Sequence, residues 1–199
     1  MSAPRSTTFR RLAFVLAIVV LCASVTGCGI SRRKPIYDVT ESELASGGEP
    51  YFQAGDVTYQ VQISRQLNPY ATEDVQYLAG IGGAQRLPAD QMWFGVFLWA
   101  KNQTERHVTT SDQITLHDSA GNVYHPVTLN PSVNAFAWTA QNLAPNGTEP
   151  TPDTTAANGS TQGGLVLFQL SQSAYSNRPL TLYIYAPGQA KPSLASLDL

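Results

Sequence analysis

From residue 56 onward apolar side chains recur at every second position, and this period constrains the chain more than any other feature. In "DVTYQVQISR" Val57, Tyr59, Val61 and Ile63 fall on one face, with Thr58, Gln60 and Gln62 opposite. Successive side chains of a strand point to opposite faces, so a period of two predicts a half-buried β-strand. "QMWFGVFLWAKN", Gln91 to Asn102, predicts a longer and more apolar one. "DQITLHD" and "NVYHPVTL" flank "SAGN", which reads as a hairpin with Gly121 and Asn122 in the turn. "GGLVLFQL" and "PLTLYIYA" complete a set of six strands. No convincing long amphipathic helix interrupts them, so the expected fold is an all-β sandwich.

Two long connections separate these strands, Gln66 to Pro88 and Asn130 to Gly163. The first contains "EDVQYLAG", which reads as one helical turn or a short strand. The second is rich in Pro, Thr, Gly and Asn and reads as irregular unless "NAFAW" adds a strand. Composition agrees with strands and turns: only 13% of the residues are charged, and Thr, Ser, Gln and Asn fill the polar positions instead.

The first thirty residues follow different rules. Arg5, Arg10 and Arg11 precede a charge-free apolar run, Leu12 to Val25, and small residues then lead to "VTGC" ending at Cys28. A basic start, an apolar middle and small residues at the end make a secretory signal, expected over residues 1–27. "VTGC" resembles the lipobox of bacterial lipoproteins. The resemblance implies that Cys28 becomes the first residue of the mature chain and carries the lipid. Two acyl chains at ~0.8 kcal/mol per buried methylene suffice for stable anchoring. The competing reading is an uncleaved membrane helix, since Leu12 to Ile30 approaches the ~20 residues that spanning requires.

Residues 28–50 read as a flexible tether. They carry few large apolar side chains, place Arg32, Arg33 and Lys34 beside the anchor, and end in "ASGGEP". As a coil, the ~27 residues before the first expected strand span on the order of 30 Å. Residues 51–199 are then the folded domain. Of twelve Lys and Arg, three lie in the leader, so the mature chain carries nine bases against fourteen acids. That balance argues against nucleic acid as a partner. The two cysteines, Cys22 and Cys28, both lie in or beside the apolar run and form no disulfide framework.

The order of features carries a further resemblance. Lys101 and Asn102 close a strand, Asp118, Gly121, Asn122 and Tyr124 follow in a "D-x-x-G-N-x-Y" pattern, and Gly163 to Tyr185 forms a Gly-strand-turn-strand unit. This resembles the immunoglobulin-like, or telokin-like, domain of unknown function on many exported bacterial lipoproteins. The resemblance covers Tyr59 to Ala186 and departs from the pattern in the insertion before Trp93 and the long loop after Pro131. It implies an immunoglobulin-like β-sandwich of about six to eight strands. It brings no catalytic residue, because the family has no established activity.

Candidate chemistry is sparse. His117 and His125 flank the hairpin beside Asp118, and His107 stands alone, but no HxH, HExxH or Cys partner accompanies them. Asp118 reads instead as a residue that caps or bonds the turn amides. Glu73 and Asp74 are adjacent and point to opposite faces if extended. No serine sits in GxSxG. No metal and no cofactor are therefore expected.

One pattern asks for a physical explanation. The strand from Gln91 is apolar on both faces, with Trp93, Phe97 and Trp99 on one and Phe94, Val96 and Leu98 on the other. A sandwich needs one buried face per sheet. Either the long loops cover the second face, with Phe136, Trp138 or Tyr77 as lids, or Trp93, Phe94, Phe97, Trp99, Phe136 and Trp138 form an interaction surface. The expected function is a non-enzymatic binding or interaction module of the cell envelope, held to the outer face of the membrane by its lipid. Its partner would be an envelope protein or an apolar ligand. The rival is an enzyme-accessory or hydrolytic envelope protein with a site built from the two long loops.

Overall fold

The computed structural model describes residues 38–39 and 51–197, and the fold is an all-β sandwich. Twelve strands follow in chain order: β1 (Asp38–Val39), β2 (Tyr51–Ala54), β3 (Val57–Leu67), β4 (Gln91–Asn102), β5 (Val108–Thr109), β6 (Gln113–His117), β7 (Val123–Tyr124), β8 (Asn142–Leu143), β9 (Thr148–Glu149), β10 (Gly164–Ser171), β11 (Leu180–Tyr185) and β12 (Ser193–Leu197). One sheet has the order β1-β12-β11-β6-β7. The other has β10-β4-β3-β2, with β9 also paired to β4, and β5 and β8 form a small ladder of their own. Two one-turn helices, α1 (Thr72–Val75) and α2 (Thr155–Asn158), lie in the long connections. The strand β1 falls inside the stretch read as tether, where Asp38 and Val39 pair in parallel with Leu194 and Ala195 of β12.

Alternation sets the core. Val57, Tyr59 and Val61 of β3, the even residues Met92 to Ala100 of β4, and Val166, Phe168 and Leu170 of β10 face Ile114, Leu116, Leu180, Leu182 and Ile184 across the sandwich. Each fully buried Leu, Ile or Phe contributes ~1.5–3 kcal/mol, so this layer supplies most of the driving force.

The pairing of β3 with β4 slips between Val61 and Ile63, where two residues oppose one. Such a bulge inverts everything after it. Ile63 therefore leaves the core face that the sequence assigns to it, turns outward and stays 42% exposed. By the same inversion Leu67 joins Trp93 and Phe97 on the outer face of the sheet.

The hairpin β6–β7 forms at the expected turn but is short. Beyond His125 the chain leaves this sheet and bridges to β10 at Pro126↔Phe168, and the Val127 amide donates to the Leu167 carbonyl at 2.7 Å. Proline has no amide hydrogen to continue the β6 ladder, so the crossover falls there.

Candidate functional site

The outer face of the β10-β4-β3-β2 sheet is divided in two. Over one half, the long connections close as a lid. Leu67, Tyr77, Leu78, Trp93, Phe97, Phe136, Leu165 and Leu167 make a second buried cluster. Tyr77 sits edge-on to Phe97 and Phe136, with ring centroids 5.0 and 4.7 Å away. The lid is stitched by polar groups. Arg65 Nη2 donates to Asp74 Oδ1 at 2.5 Å, the Asn68 amide donates to Asp74 Oδ2 at 2.8 Å, and the Arg65 guanidinium lies over the Tyr77 ring. The hydrogen bond to Asp74 holds the Arg65 pKa above its usual value. Asp74 is thus committed to a structural ion pair.

This corrects the aromatic interaction surface read from the sequence. Trp93, Phe97 and Phe136 are buried under or within the lid, and Phe94 is buried in the central core. Trp138 packs, partly buried, against that core. Apolar area removed from water stabilises the fold, which an open aromatic face would forgo. The indole of Trp93 donates to the Ala84 carbonyl and that of Trp138 to the Ser111 carbonyl, both at 2.8 Å. Gly95 explains the tight fit. A Cβ there would approach Leu165 Cδ1 to 3.0 Å and Leu67 Cδ1 to 3.1 Å, so the missing side chain makes room for these two leucines on the outer face.

Trp99 is the exception. It belongs to the same outer face but lies half-buried beside a recess of about 300 Å³ that the lid does not fill. Tyr51, 55% exposed, lines the same recess. The rest of the wall is Ala100 with a set of polar side chains, Gln60, Gln62, Gln103, Gln162 and Thr58, and Lys101 as its charged residue. Register explains the grouping, since Gln60 pairs with Trp99 and with Tyr51, and Thr58 with Lys101. Gln62 Nε2 donates to Gln60 Oε1 at 2.7 Å. The indole nitrogen of Trp99 is enclosed and has no hydrogen-bond partner among the described residues. An unpaired buried donor costs ~1–3 kcal/mol.

Two other depressions differ in character. A groove of about 430 Å³ beyond the opposite edge of the lid is lined by Gln66, Tyr70, Gln91, Trp93 and Gln172, among others. Its tryptophan N–H is already satisfied by Ala84, and Tyr70 donates to the Gln85 carbonyl at 2.7 Å. A cleft of about 490 Å³ beside the sheet crossover is mainly apolar, with Ile114, Val127, Leu129, Trp138 and Leu165 on its walls.

Several titratable groups are committed elsewhere. Asp118 accepts from the Ala120 and Asn122 amides, from Asn122 Nδ2, from Tyr124 Oη and from Asn177 Nδ2, at 2.8–3.2 Å. Burial alone would raise its pKa, but these donors outweigh burial and hold it below the usual carboxylate value. It is the turn clamp that the sequence suggests. His117 stacks on Tyr183 with centroids 3.8 Å apart and has its Nε2 3.0 Å from Thr115 Oγ1. Burial, then the charge of the neighbouring His125, lowers its pKa. No group of three or more potential ligands for a metal gathers among the described residues. Cys28 lies outside the described residues.

Sequence reasoning missed one buried polar cluster. Glu149 is 2% exposed and accepts from Thr110 Oγ1 at 2.6 Å, while Tyr59 Oη accepts from the Ser111 amide at 2.8 Å. Burial pushes the Glu149 carboxyl up to about 7 against the opposing hydrogen bonds from Thr110 and the Thr139 backbone. Thr110 is equally enclosed, so the pair is a core element closed to substrate.

No protein family and no curated protein matches the chain. Among solved structures, the chain is similar to the yjhA protein from Bacillus subtilis, at 15% identity over 75% of this chain and 97% of that one, with a TM-score of 0.49. It is similar to an uncharacterized β-sandwich protein from Clostridium difficile, at 9% identity over 85% and 99% of the two chains, with a TM-score of 0.41. A conserved hypothetical protein from Bacillus anthracis shares 11% identity over 76% and 94%, with a TM-score of 0.43.

Proposed function

We propose that the chain is an extracytoplasmic lipoprotein, acylated on Cys28, whose immunoglobulin-like sandwich is a non-enzymatic binding module of the cell envelope. The single observation carrying this reading is "VTGC" placed directly after a charge-free apolar run that follows three arginines. The sandwich adds support of a different kind. Its described acids and histidines that have shifted pKa values or buried carboxyls are engaged in structural bonds: Asp74 to Arg65, Asp118 to its turn, Glu149 to Thr110 and His117 to Thr115. The recess beside Trp99, in contrast, joins aromatic and amide side chains at an open surface, which suits recognition better than bond breaking.

The test is Cys28→Ser in the native host. The parent is expected in the membrane fraction and cleavable by protease added to cells whose outer layers have been opened. The variant is expected in the soluble fraction or unprocessed. Equal membrane retention of parent and variant removes the anchor from the proposal, and protection of the parent's sandwich from added protease removes its location.

A further inference from the structure

We propose that the recess beside Trp99 binds a sugar ring; this rests on the reading of the chain as an envelope binding module and names its ligand. The lining has two kinds of surface side by side. Trp99 and Tyr51 offer apolar aromatic area, and the glutamine side chains around them each carry a donor and an acceptor. A pyranose has the same division. One face of the ring is a patch of C–H groups, and its rim is a set of hydroxyls that both donate and accept.

Other ligands fit this wall poorly. A purely apolar ligand would set carbon against the amides of Gln62 and Gln103 and cut them off from water, which costs free energy for each group. A cationic ligand would meet Lys101 with no acid in the lining to offset it. A recess of about 300 Å³ lies at the small end of the ~300–1,000 Å³ typical of small-ligand sites. That is space for one or two rings. Lys101 adds selectivity: it favours a ring that bears a carboxylate over the neutral form.

The experiment uses the protein as purified from membranes of its native host, in detergent micelles. Tetramers of N-acetylglucosamine, of glucose and of galacturonic acid are titrated while tryptophan emission and heat are recorded. At least one tetramer is expected to bind with a dissociation constant below about 1 mM and to change the emission. Trp99→Phe keeps an aromatic ring but presents less aromatic area to the recess and removes the reporting indole; it is expected to abolish the emission change and weaken binding several-fold. Tyr51→Ala, at an exposed position, is the second variant should the first fail to fold, and a loss of several-fold is expected. Tyr70→Ala, in the other groove, is expected to bind as the parent does. Lys101→Met is expected to weaken the galacturonate tetramer selectively. Absence of binding by all three tetramers, or parent-like binding by folded Trp99→Phe and Tyr51→Ala, overturns the assignment. Either result with the Cys28 anchor intact leaves the envelope reading standing, and loss of the anchor with binding retained does the reverse.

Discussion

Asn134 donates through Nδ2 to the carbonyl of Tyr77 at 2.8 Å, joining the two long connections across 57 residues of chain. The same amide group reaches the Ala79 carbonyl, and its oxygen accepts from the Phe136 amide at 3.0 Å. One buried side chain thus fixes the backbone of both halves of the lid. Asn134→Ala is expected to cost about 2–4 kcal/mol, since several buried backbone groups lose their partner at once. Urea unfolding of parent and variant reads this directly. A change within about 0.5 kcal/mol would show that the lid closes without the link.

Asp118 is expected to be the dominant polar contributor to the β6–β7 hairpin. Asp118→Ala strands the Ala120 and Asn122 amides and frees Asn177, which reaches the turn from 59 residues away. A loss of about 2–3 kcal/mol is expected. The folded-state pKa lies below the usual value, so this stabilisation is present above the unfolded pKa and disappears as pH falls through the folded one. Unfolding free energies measured from pH 7 down to pH 2 should therefore decline in the parent more than in the variant.

Glu149 acts with the opposite sign. Its carboxyl titrates at about 7 in the fold against 4.5 as a free side chain. Between those values the folded chain holds a proton that the unfolded chain has released, so stability falls as pH rises across that window. The full penalty is about 3 kcal/mol as an order of magnitude. Glu149→Gln retains an acceptor for Thr110 and carries no charge. It is expected to match the parent near pH 4.5 and to exceed it at pH 8. Parallel pH profiles for the two proteins would show that Glu149 titrates alike in the folded and unfolded chains.

The Gly163–Gly164 pair lets the chain around Trp138 lie against β10. A Cβ on Gly164 would meet Trp138 Cε3 at 2.7 Å, and Gly163 has φ +114°. Gly164→Ala must displace the indole from its bond to the Ser111 carbonyl. A cost of about 1–3 kcal/mol is expected, with a shift in tryptophan emission as the ring moves. An unchanged spectrum and midpoint would place the ring's restraint elsewhere.

The legibility of the fold depends on whether a residue's partner lies near it in sequence. The strands β3, β4, β6, β10 and β11 announce themselves because apolar alternation is local. The strand β12 does not, because Ser193 and Ala195 occupy its core face and carry little apolar signal; Ser193 Oγ instead donates to the Gln53 carbonyl 140 residues away. Nothing around Gln62 marks the bulge that turns Ile63 outward. The two-sided apolar pattern of β4 does reveal that a second face needs cover. Where the cover stops is not written there. The division runs between Phe97, buried under the lid, and Trp99, half-buried beyond it. Loops folding back from residues 66–88 and 130–163 set that line, and their paths depend on distant links such as Asn134 to Tyr77.

The most direct measurement is the intact mass of the mature chain purified from membranes of its native host. A lipoprotein gives a chain beginning at Cys28 that carries a thioether-linked diacylglycerol, with or without a further acyl group on the new amino terminus. A chain that begins at Met1, or at any residue other than Cys28, or one that begins there without lipid, contradicts the proposal.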